Sequence, residues 1–406
     1  MAYRYGLIGK TLGHSHSPAI HALLAPYDYA LYEMPEQALA AFIRQGDIGG
    51  LNVTIPYKQT VLPLCDALSE QAQRIGSVNT LVYDDARRIT GHNTDYAGFS
   101  KMAARAGIAF AGQRVVILGS GGTSRTALQV VRDEGAREAV VISRTGTETY
   151  ATLGRHADAD ILVNTTPVGM YPHLADAPVS LDLFPRLCGV IDVIYNPLRT
   201  RMLLAAQARA VPCTNGLSML VYQAAEAASL FLGKPIAQER ADQALQAIRA
   251  SVENIVLIGM PGCGKSSIGR ALAAQTGRTL IDTDQEIVRR AGKPIPAIFA
   301  EDGETAFRAL EREAIAKAAT HSGVIIATGG GSILREENLL SLRQNGRLYY
   351  LRRPTSQLAI DGRPLSTDVE ALARVRLPLY EAACDTIIEN DGPREAVAAA
   401  IWEAFV

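Results

Sequence analysis

The sequence predicts an α/β protein of two domains, and three observations carry that prediction. Short β-branched runs alternate with helical patterns along all 406 residues, the rhythm of parallel α/β sheets. Two of those runs end in glycine-rich turns, at Gly119 and Gly259, and each turn opens a helical pattern. Between the two series lies GKPIAQERADQALQAIRASVEN, a polar amphipathic stretch after which the pattern restarts as a new first strand. The chain is too long for one ordinary core. We place the boundary near residues 250–253, giving domains over 1–250 and 251–406.

In the first domain the strand candidates are YGLIG, GLNVTI, VVILG, AVVIS, ILVNTT and VIDVIY. A second strand–turn–helix start, GQRVVILGSGGTSRTAL, begins at Gly112 and predicts two lobes. One covers about residues 1–100 plus the C-terminal helices, the other about 101–215. In the second domain the strands are NIVLIG, LIDTD, VIIATGG and RLYYLR. The most apolar stretch, LSMLVYQAAEAASLFLG, is broken by Gln223 and Glu226 and reads as a buried helix, not a membrane span.

Composition narrows the class. Apolar residues make up 48% and charged residues 20%, with a formal net charge of −1, so nothing favours nucleic acid or an anionic membrane as partner. Cys65, Cys188, Cys213, Cys263 and Cys384 are dispersed without paired or metal-like spacing, which suggests a reducing compartment. The opening MAYRYGLIGKTLGHSHSP lacks the apolar region of a signal peptide. The expectation is a soluble, cytoplasmic protein; the residues carry no statement about its oligomeric state.

The run Gly259-Met-Pro-Gly-Cys-Gly264-Lys265-Ser266 has the form G-x-x-x-x-G-K-[ST], with a strand before it and a helix after it. Glycines there let backbone N–H groups converge on phosphates, Lys265 neutralises them, and Ser266 can hold Mg²⁺. Cys263 lies among those N–H groups beside Lys265, a setting that favours a thiolate, against the plainer reading of a small inert loop residue. A phosphate loop alone leaves the acceptor open. Its neighbours narrow the choice. Asp282-Thr-Asp284 ends the second strand at the sheet's carboxyl edge, where open α/β sheets bind ligands. Arg308 and Glu311 share a helix face, and in isolation they read as a surface ion pair. Gly329-Gly330-Gly331 after VIIAT implies close approach of backbone to a ligand.

Taken together, GMPGCGKS, DTD, FRALE, ATGGG, GRPL and RLPLY make residues 255–406 resemble shikimate kinase. The resemblance implies a parallel-sheet P-loop kinase domain using Mg·ATP. Gly262, Cys263, Gly264, Lys265, Ser266 and Ser267 would cradle the nucleotide. Asp284 would orient the acceptor hydroxyl, Arg308 and Arg376 would hold the substrate carboxylate, and Gly330 and Gly331 would lie against the ring. Arg363, in a lid, would approach the transferring phosphate. The family's lid is usually longer and has another Arg before the RPL segment; QLAIDGRPL is short and lacks it.

In the first domain, Gly119-Ser120-Gly121-Gly122-Thr123 follows RVVIL and opens a helix, a turn suited to a dinucleotide or simply tight. The next strand ends in Ser143-Arg144-Thr145, where an acid would favour NAD and the arginine favours the 2′-phosphate of NADP. Four polar clusters break the apolar pattern upstream: Ser15-His-Ser17-Pro, Asn52-Val-Thr54-Ile-Pro-Tyr-Lys58, Ser77-Val-Asn79-Thr80 and Asn93-Thr94-Asp95. Each alone could be a cap or turn. Lys58 strains that reading, because a lysine near a carboxylate such as Asp95 can relay a proton.

With GHSHSP, NVTIPYK, GSVNT, GHNTDYAGF, GSGGTSRTA, NTTPVGM, DVIYNP and NGLSMLVYQA, residues from about 5 to 247 resemble shikimate dehydrogenase. This implies a two-lobed dehydrogenase with a Rossmann-like NADP-binding lobe. Ser15 and Ser17 would hold the substrate carboxylate, and Thr54, Asn79 and Gln223 the ring hydroxyls, with Tyr195 nearby. Lys58 and Asp95 would form the catalytic pair, and Gly216 would lie by the nicotinamide. Ser143 stands where the family usually has Asn. Joined, the resemblances imply reduction of 3-dehydroshikimate to shikimate by NADPH, followed by phosphorylation of shikimate by Mg·ATP. Quinate, different by one ring hydroxyl and saturation, stays open as a substrate of the first half.

Overall fold

Residues 3–13, 15–358 and 369–406 are described by a computed structural model. The chain divides into two compact units. One comprises residues 1–168, 177–195 and 205–248, the other residues 169–176, 196–204 and 249–406. The second unit thus takes in two stretches that lie, by sequence, inside the expected 101–215 lobe.

The first unit holds two sheets. Its first sheet contains β1 (Arg4–Gly9), β2 (Tyr29–Glu33), β3 (Ile48–Val53), β4 (Ala67–Leu68), β5 (Thr80–Tyr83) and β6 (Ile89–His92) in the order β2-β1-β3-β5-β6-β4. It departs from the all-parallel expectation, because β5 runs antiparallel to both β3 and β6. The cause is local. The DDARR turn joins β5 to β6 directly, and Asp84 closes it by accepting from the Arg88 N–H at 2.8 Å and from Arg88 Nε at 2.8 Å. So short a link permits only an antiparallel neighbour.

The second sheet contains β7 (Arg114–Leu118), β8 (Glu138–Ser143), β9 (Glu148–Thr149), β10 (Ile161–Asn164), β11 (Gly189–Asp192) and β12 (Cys213–Thr214). Its order is β12-β11-β10-β7-β8-β9, and every pairing is parallel. The order reverses at β7, whose carboxyl end carries the glycine turn, and that is where a doubly wound sheet opens a crevice. The buried helix expected from its apolar run spans Gly216–Leu232 and packs against the helix Asp95–Arg105.

The second unit contains β13 (Asn254–Ile258), β14 (Leu280–Asp282), β15 (Ile325–Ala327), β16 (Gly346–Arg352) and β17 (Thr386–Glu389), ordered β14-β15-β13-β16-β17 and wholly parallel. β13 is buried along its whole length, which is why it reads as a continuous apolar run without alternation. Beside its first residue sits Glu253, which is fully buried. It accepts from Arg347 Nη2 at 2.9 Å, from Arg199 Nη2 at 3.0 Å and lies 3.4 Å from Arg249 Nε. Burial pushes the Glu253 carboxyl up, but Arg249, Arg199 and Arg347 outweigh it and hold the group below the ordinary range. Arg199 also donates to the carbonyls of Arg343 and Gly346, at 2.7 and 2.8 Å. These bonds explain why residues 196–204 cluster with the second unit.

Candidate active sites

In the first unit, the carboxyl ends of β1 and β3 and the helix Gly216–Leu232 surround a cavity of about 470 Å³. Ser15, Ser17, Thr54, Lys58, Asn79, Asp95, Tyr195, Gly216 and Gln223 all line it, and so does Thr123 from the glycine-rich turn. Lys58 Nζ stands 2.5 Å from Asp95 Oδ2, with side-chain exposures of 25% and 12% that leave the pair reachable from the cavity but shielded from bulk water. Asp95 is placed by its position at the start of a helix, and Lys58 by the turn after β3. Ser15 Oγ and Ser17 Oγ are 3.1 Å apart, two hydroxyls converging at the start of the helix Ser17–Leu24.

Tyr195 lies edge-on to His16, with ring centroids 6.0 Å apart. Burial pushes the Tyr195 phenol up and the His16 imidazole down, so both favour their neutral forms. Gly216 is where it is for a steric reason: a Cβ there would stand 1.9 Å from the Val193 carbonyl oxygen. The close approach brings the start of its helix, capped by Asn215 accepting from the Leu217 N–H at 2.9 Å, against the strand end that carries Tyr195.

The glycine-rich turn is open on the ligand side. Nothing lies within 4 Å of a Cβ built on Gly121 or Gly122, and the helix Gly122–Asp133 starts with no side-chain cap. Its first N–H groups are therefore free to meet a pyrophosphate. At the end of the next strand Ser143 is buried, whereas Arg144 and Thr145 are exposed. Arg144 forms no ion pair among the described residues.

In the second unit the sequence-predicted residues also meet. A Cβ on Gly329 would stand 2.7 Å from Asp284 Oδ1, one on Gly330 2.6 Å from Pro261, and one on Gly331 2.6 Å from Arg308 Nη1. The three glycines thus bring the acid, the phosphate loop and the arginine to one place. Arg376 is buried on the helix Val369–Ala383, against Tyr380, whose hydroxyl donates to the Gly330 carbonyl. Lys265 Nζ is curled into the loop, donating to the carbonyls of Gly259 at 2.8 Å and Met260 at 2.9 Å. Ser266 and Ser267 follow it in the first turn of the helix Lys265–Thr276, with Gly262 and Gly264 at left-handed φ in the loop.

Two residues that the sequence leaves with alternative readings have distinctive surroundings. Cys263 is wholly buried under the loop, its sulfur 3.7 Å from Lys265 Nζ, so the side chain packs and is shielded from reagents. Arg308 is no surface pair: its side chain is 11% exposed, and Glu311, at 1%, binds Nη1 at 2.9 Å. Glu304 holds its Nε and Nη2 at 3.2 and 3.1 Å. Arg363 lies outside the described residues.

Other groups carry no role in the sequence reading. Arg353, just past β16, has a buried Nε without partner, and its Nη1 would lie 4.0 Å from a Cβ on Gly264. Asn390 Nδ2 faces the same glycine and donates to the Cys263 carbonyl. The signal was there in part: Arg353 follows a strand whose last residue, Arg352, pairs outward with Glu389.

A lysine–carboxylate pair in a polar cavity beside a dinucleotide turn defines a pyridine-nucleotide oxidoreductase. A phosphate loop with an acid and two arginines at its mouth defines a phosphotransferase. Comparison with known proteins makes both particular. The shikimate dehydrogenase substrate-binding domain family matches residues 7–81, and the shikimate kinase family matches residues 261–405. Shikimate dehydrogenase (NADP(+)) of Clostridium beijerinckii is 35% identical over 247 residues, 56% of this chain and 91% of the relative. That of Oleidesulfovibrio alaskensis is 40% identical over 262 residues, covering 58% and 93%. Among solved structures, a chorismate mutase/shikimate 5-dehydrogenase fusion protein from Clostridium acetobutylicum matches with a TM-score of 0.59 and 35% identity, over 61% of this chain and 97% of that one. The Thermus thermophilus shikimate 5-dehydrogenase in complex with NADP(H) and shikimate gives 0.55 and 30%, over 60% and 99%. The chain belongs to the shikimate dehydrogenase family and carries a shikimate kinase domain after it.

Proposed function

We propose that this bifunctional enzyme reduces 3-dehydroshikimate to shikimate with NADPH in its first unit and phosphorylates the new C3 hydroxyl with Mg·ATP in its second. The observation that supports it most is the Lys58–Asp95 pair at 2.5 Å, set in one cavity with Ser15, Ser17, Thr54, Asn79 and Gln223.

In the first step Ser15 and Ser17 bind the substrate carboxylate through their hydroxyls. Thr54, Asn79 and Gln223 fix the ring hydroxyls, and Tyr195 closes the side of the cavity. Gly216 would lie beside the nicotinamide, which when bound would supply the hydride. Lys58 gives a proton from Nζ to the oxygen on which charge develops, and Asp95 keeps that side chain oriented beforehand. Arg144 meets the 2′-phosphate through charge-assisted hydrogen bonds.

In the second step Asp284 orients the attacking hydroxyl, and Arg308 and Arg376 take the carboxylate with Gly330 and Gly331 beneath the ring. Lys265 leaves the loop carbonyls for the phosphates, and Arg353 adds a cation at the Gly264 end of the loop. Arg363 is assigned the transferring phosphate. The donor set suits Mg²⁺: Ser266 offers a hydroxyl and Asp282 and Asp284 carboxylates, hard oxygens for a cation that keeps most of its waters and phosphate ligands. Among the described residues no group of three or more His, Cys, Asp or Glu forms a closed metal cage, and a nucleotide-borne Mg²⁺ needs none. When bound, the ion neutralises phosphate charge.

Among the described residues no helix is long and apolar enough to cross a membrane. We place the enzyme in the cytoplasm, where NADPH and ATP are both supplied, with small molecules as its partners. The test is to incubate the protein with 3-dehydroshikimate, NADPH and Mg·ATP. NADPH oxidation with shikimate 3-phosphate as product supports the proposal. Oxidation that stops at shikimate with ATP present would remove the kinase half.

A further inference from the structure

The Lys58–Asp95 contact crosses from one hydrophobic core of the first unit to another. Asp95 begins the helix Asp95–Arg105, whose Phe99, Met102 and Ala103 pack in one core with Val115 and Ile117 of β7 and Ala127 of the helix Gly122–Asp133. Lys58 follows β3 and lies between Tyr57 and Val61, which belong to a second core with Val53 and Ala72. A single side-chain contact between two cores is a pivot, and they can still turn about it.

Two further contacts cross the same join, and both start from the helix Gly122–Asp133. Its Arg125, Gln129 and Asp133 recur at four-residue intervals and so share one face. Arg125 grips Gln59, the residue after Lys58. With the Gln59 amide oxygen facing the guanidinium, the orientation that gives both ends of the amide suitable partners, it accepts from Nη1 at 2.6 Å and from Nη2 at 2.8 Å. At the far end of the helix, Asp133 Oδ1 accepts from Arg74 Nη2 on the helix Glu70–Ile75, whose Ala72 packs in the second core. Asp133 is steadied from its own side as well. Gln129 Nε2 donates to Oδ1 at 2.9 Å, and the hydroxyl of Tyr96, the residue after Asp95, donates to Oδ2 at 3.1 Å.

Arg125 and Asp133 stand eight residues apart, about 12 Å along the helix axis. Contacts so separated resist rotation as well as parting. The same helix opens from the turn Gly119–Thr123, so a cofactor held at that turn would move with it. Hydride transfer needs its reacting atoms about 3–3.5 Å apart, and small misplacements slow it severely.

We propose that Gln59–Arg125 and Arg74–Asp133 are positioning contacts that clamp the two cores, setting Lys58 against Asp95 and the nicotinamide against the substrate together. The inference rests on the dehydrogenase reading above. None of the four residues lines the cavity, so their effect passes through the groups they hold in register.

The test uses single turnovers of the full-length enzyme: enzyme and NADPH are mixed with saturating 3-dehydroshikimate, and NADPH oxidation is followed by absorbance. Arg74→Ala and Arg125→Ala should each slow hydride transfer about twofold to fivefold, the scale of one exposed contact. Combined, they should slow it about tenfold or more, because each contact partly covers for the other. The steady-state KM for both substrates should stay within about twofold, as expected when alignment and not binding is lost. Gln59→Ala should match Arg125→Ala, and joining those two should slow the step no further, since they break one bond. Gln59, Arg74 and Arg125 are exposed, so these changes leave the cores intact, and phosphorylation of added shikimate should be unchanged. A slowing of less than about threefold in the combined Arg74→Ala and Arg125→Ala enzyme overturns the inference. A raised KM for NADPH in Arg125→Ala but not in Gln59→Ala overturns it too, by placing Arg125 on the pyrophosphate. Independent, multiplying effects of Gln59→Ala and Arg125→Ala would do the same. A wild-type enzyme that does not oxidise NADPH with 3-dehydroshikimate would instead remove the functional reading on which the inference rests.

Discussion

The two sites are prepared in opposite ways. In the first, each binding group is held by protein from behind and faces a ready cavity: the Asn79 carboxamide is tied to Thr80 and Thr94, and Gln223 to the Leu220 carbonyl at 2.9 Å. In the second, the groups meant for anions are occupied by protein in front. Lys265 is bound to loop carbonyls, and Arg308 is shared by Glu304 and Glu311. The difference lies in the charge of the binding groups themselves. Neutral hydroxyls and amides can face an empty cavity at little cost. Buried cations without a partner are expensive, and here loop carbonyls and carboxylates supply one, which we propose the ligands displace.

The comparison is broken most forcefully at the two lysines. Lys58→Ala should lower dehydrogenase kcat about 10²–10⁴-fold, the span of general acid catalysis, with phosphorylation of added shikimate unchanged. Lys265→Ala should do the reverse. Loss of both activities from either change, in a folded protein, would mean that the sites are not independent.

Next in size is the ion cluster under β13. Arg199→Ala leaves the buried Glu253 short of one cation and should destabilise the second unit by roughly 3–5 kcal/mol, read from denaturant unfolding followed by kinase activity. The sign with pH is definite. The Glu253 carboxyl titrates lower in the folded chain than its ordinary 4.5, so its contribution is present above about that pH and is lost as pH falls below it. Glu253→Gln should flatten that acid dependence; an unchanged acid limb would locate the titration elsewhere.

Arg144→Ala should raise the KM for NADPH roughly tenfold to a hundredfold and leave that for NADH nearly unchanged, as one or two charge-assisted bonds are lost. Equal effects on both would place Arg144 away from the 2′-phosphate. The smallest effect sharpens the comparison best. Glu304, 60% exposed, occupies the Nε–Nη2 edge of Arg308, the edge that we propose a substrate carboxylate would take. Glu304→Gln should lower the kinase KM for shikimate about twofold to fivefold, the measure of an exposed ion pair. A higher KM would show that Glu304 holds Arg308 in place instead of competing.

Much of this was legible in the residues. Every strand read from an apolar run is present, because parallel strands buried on both faces leave that mark. Of the strands not read, β4, β9 and β12 are only two residues long, and β2, β5, β6 and β17 are partly exposed and carry Tyr, Thr or Glu, so their apolar signal is diluted. At the first site, motif and position agreed because its residues sit on strand ends and helix starts, whose local sequence is distinctive. Glu253 reads as an ordinary acid at a helix end. Only the fold shows that it meets Arg199, 54 residues earlier, and Arg347, 94 residues later.

That reach of Arg199 bears on how such a gene could be divided. A cut between residues 250 and 251 follows the motif map, yet it leaves the downstream piece without 169–176 and 196–204, which its compact unit includes. The piece would begin with a buried acid deprived of both Arg199 and Arg249. The upstream piece would keep those stretches with nothing for Arg199 to neutralise. Separation into two working proteins would therefore demand compensating substitutions at Glu253, and recombination that exchanges one half for a foreign homologue would meet the same barrier.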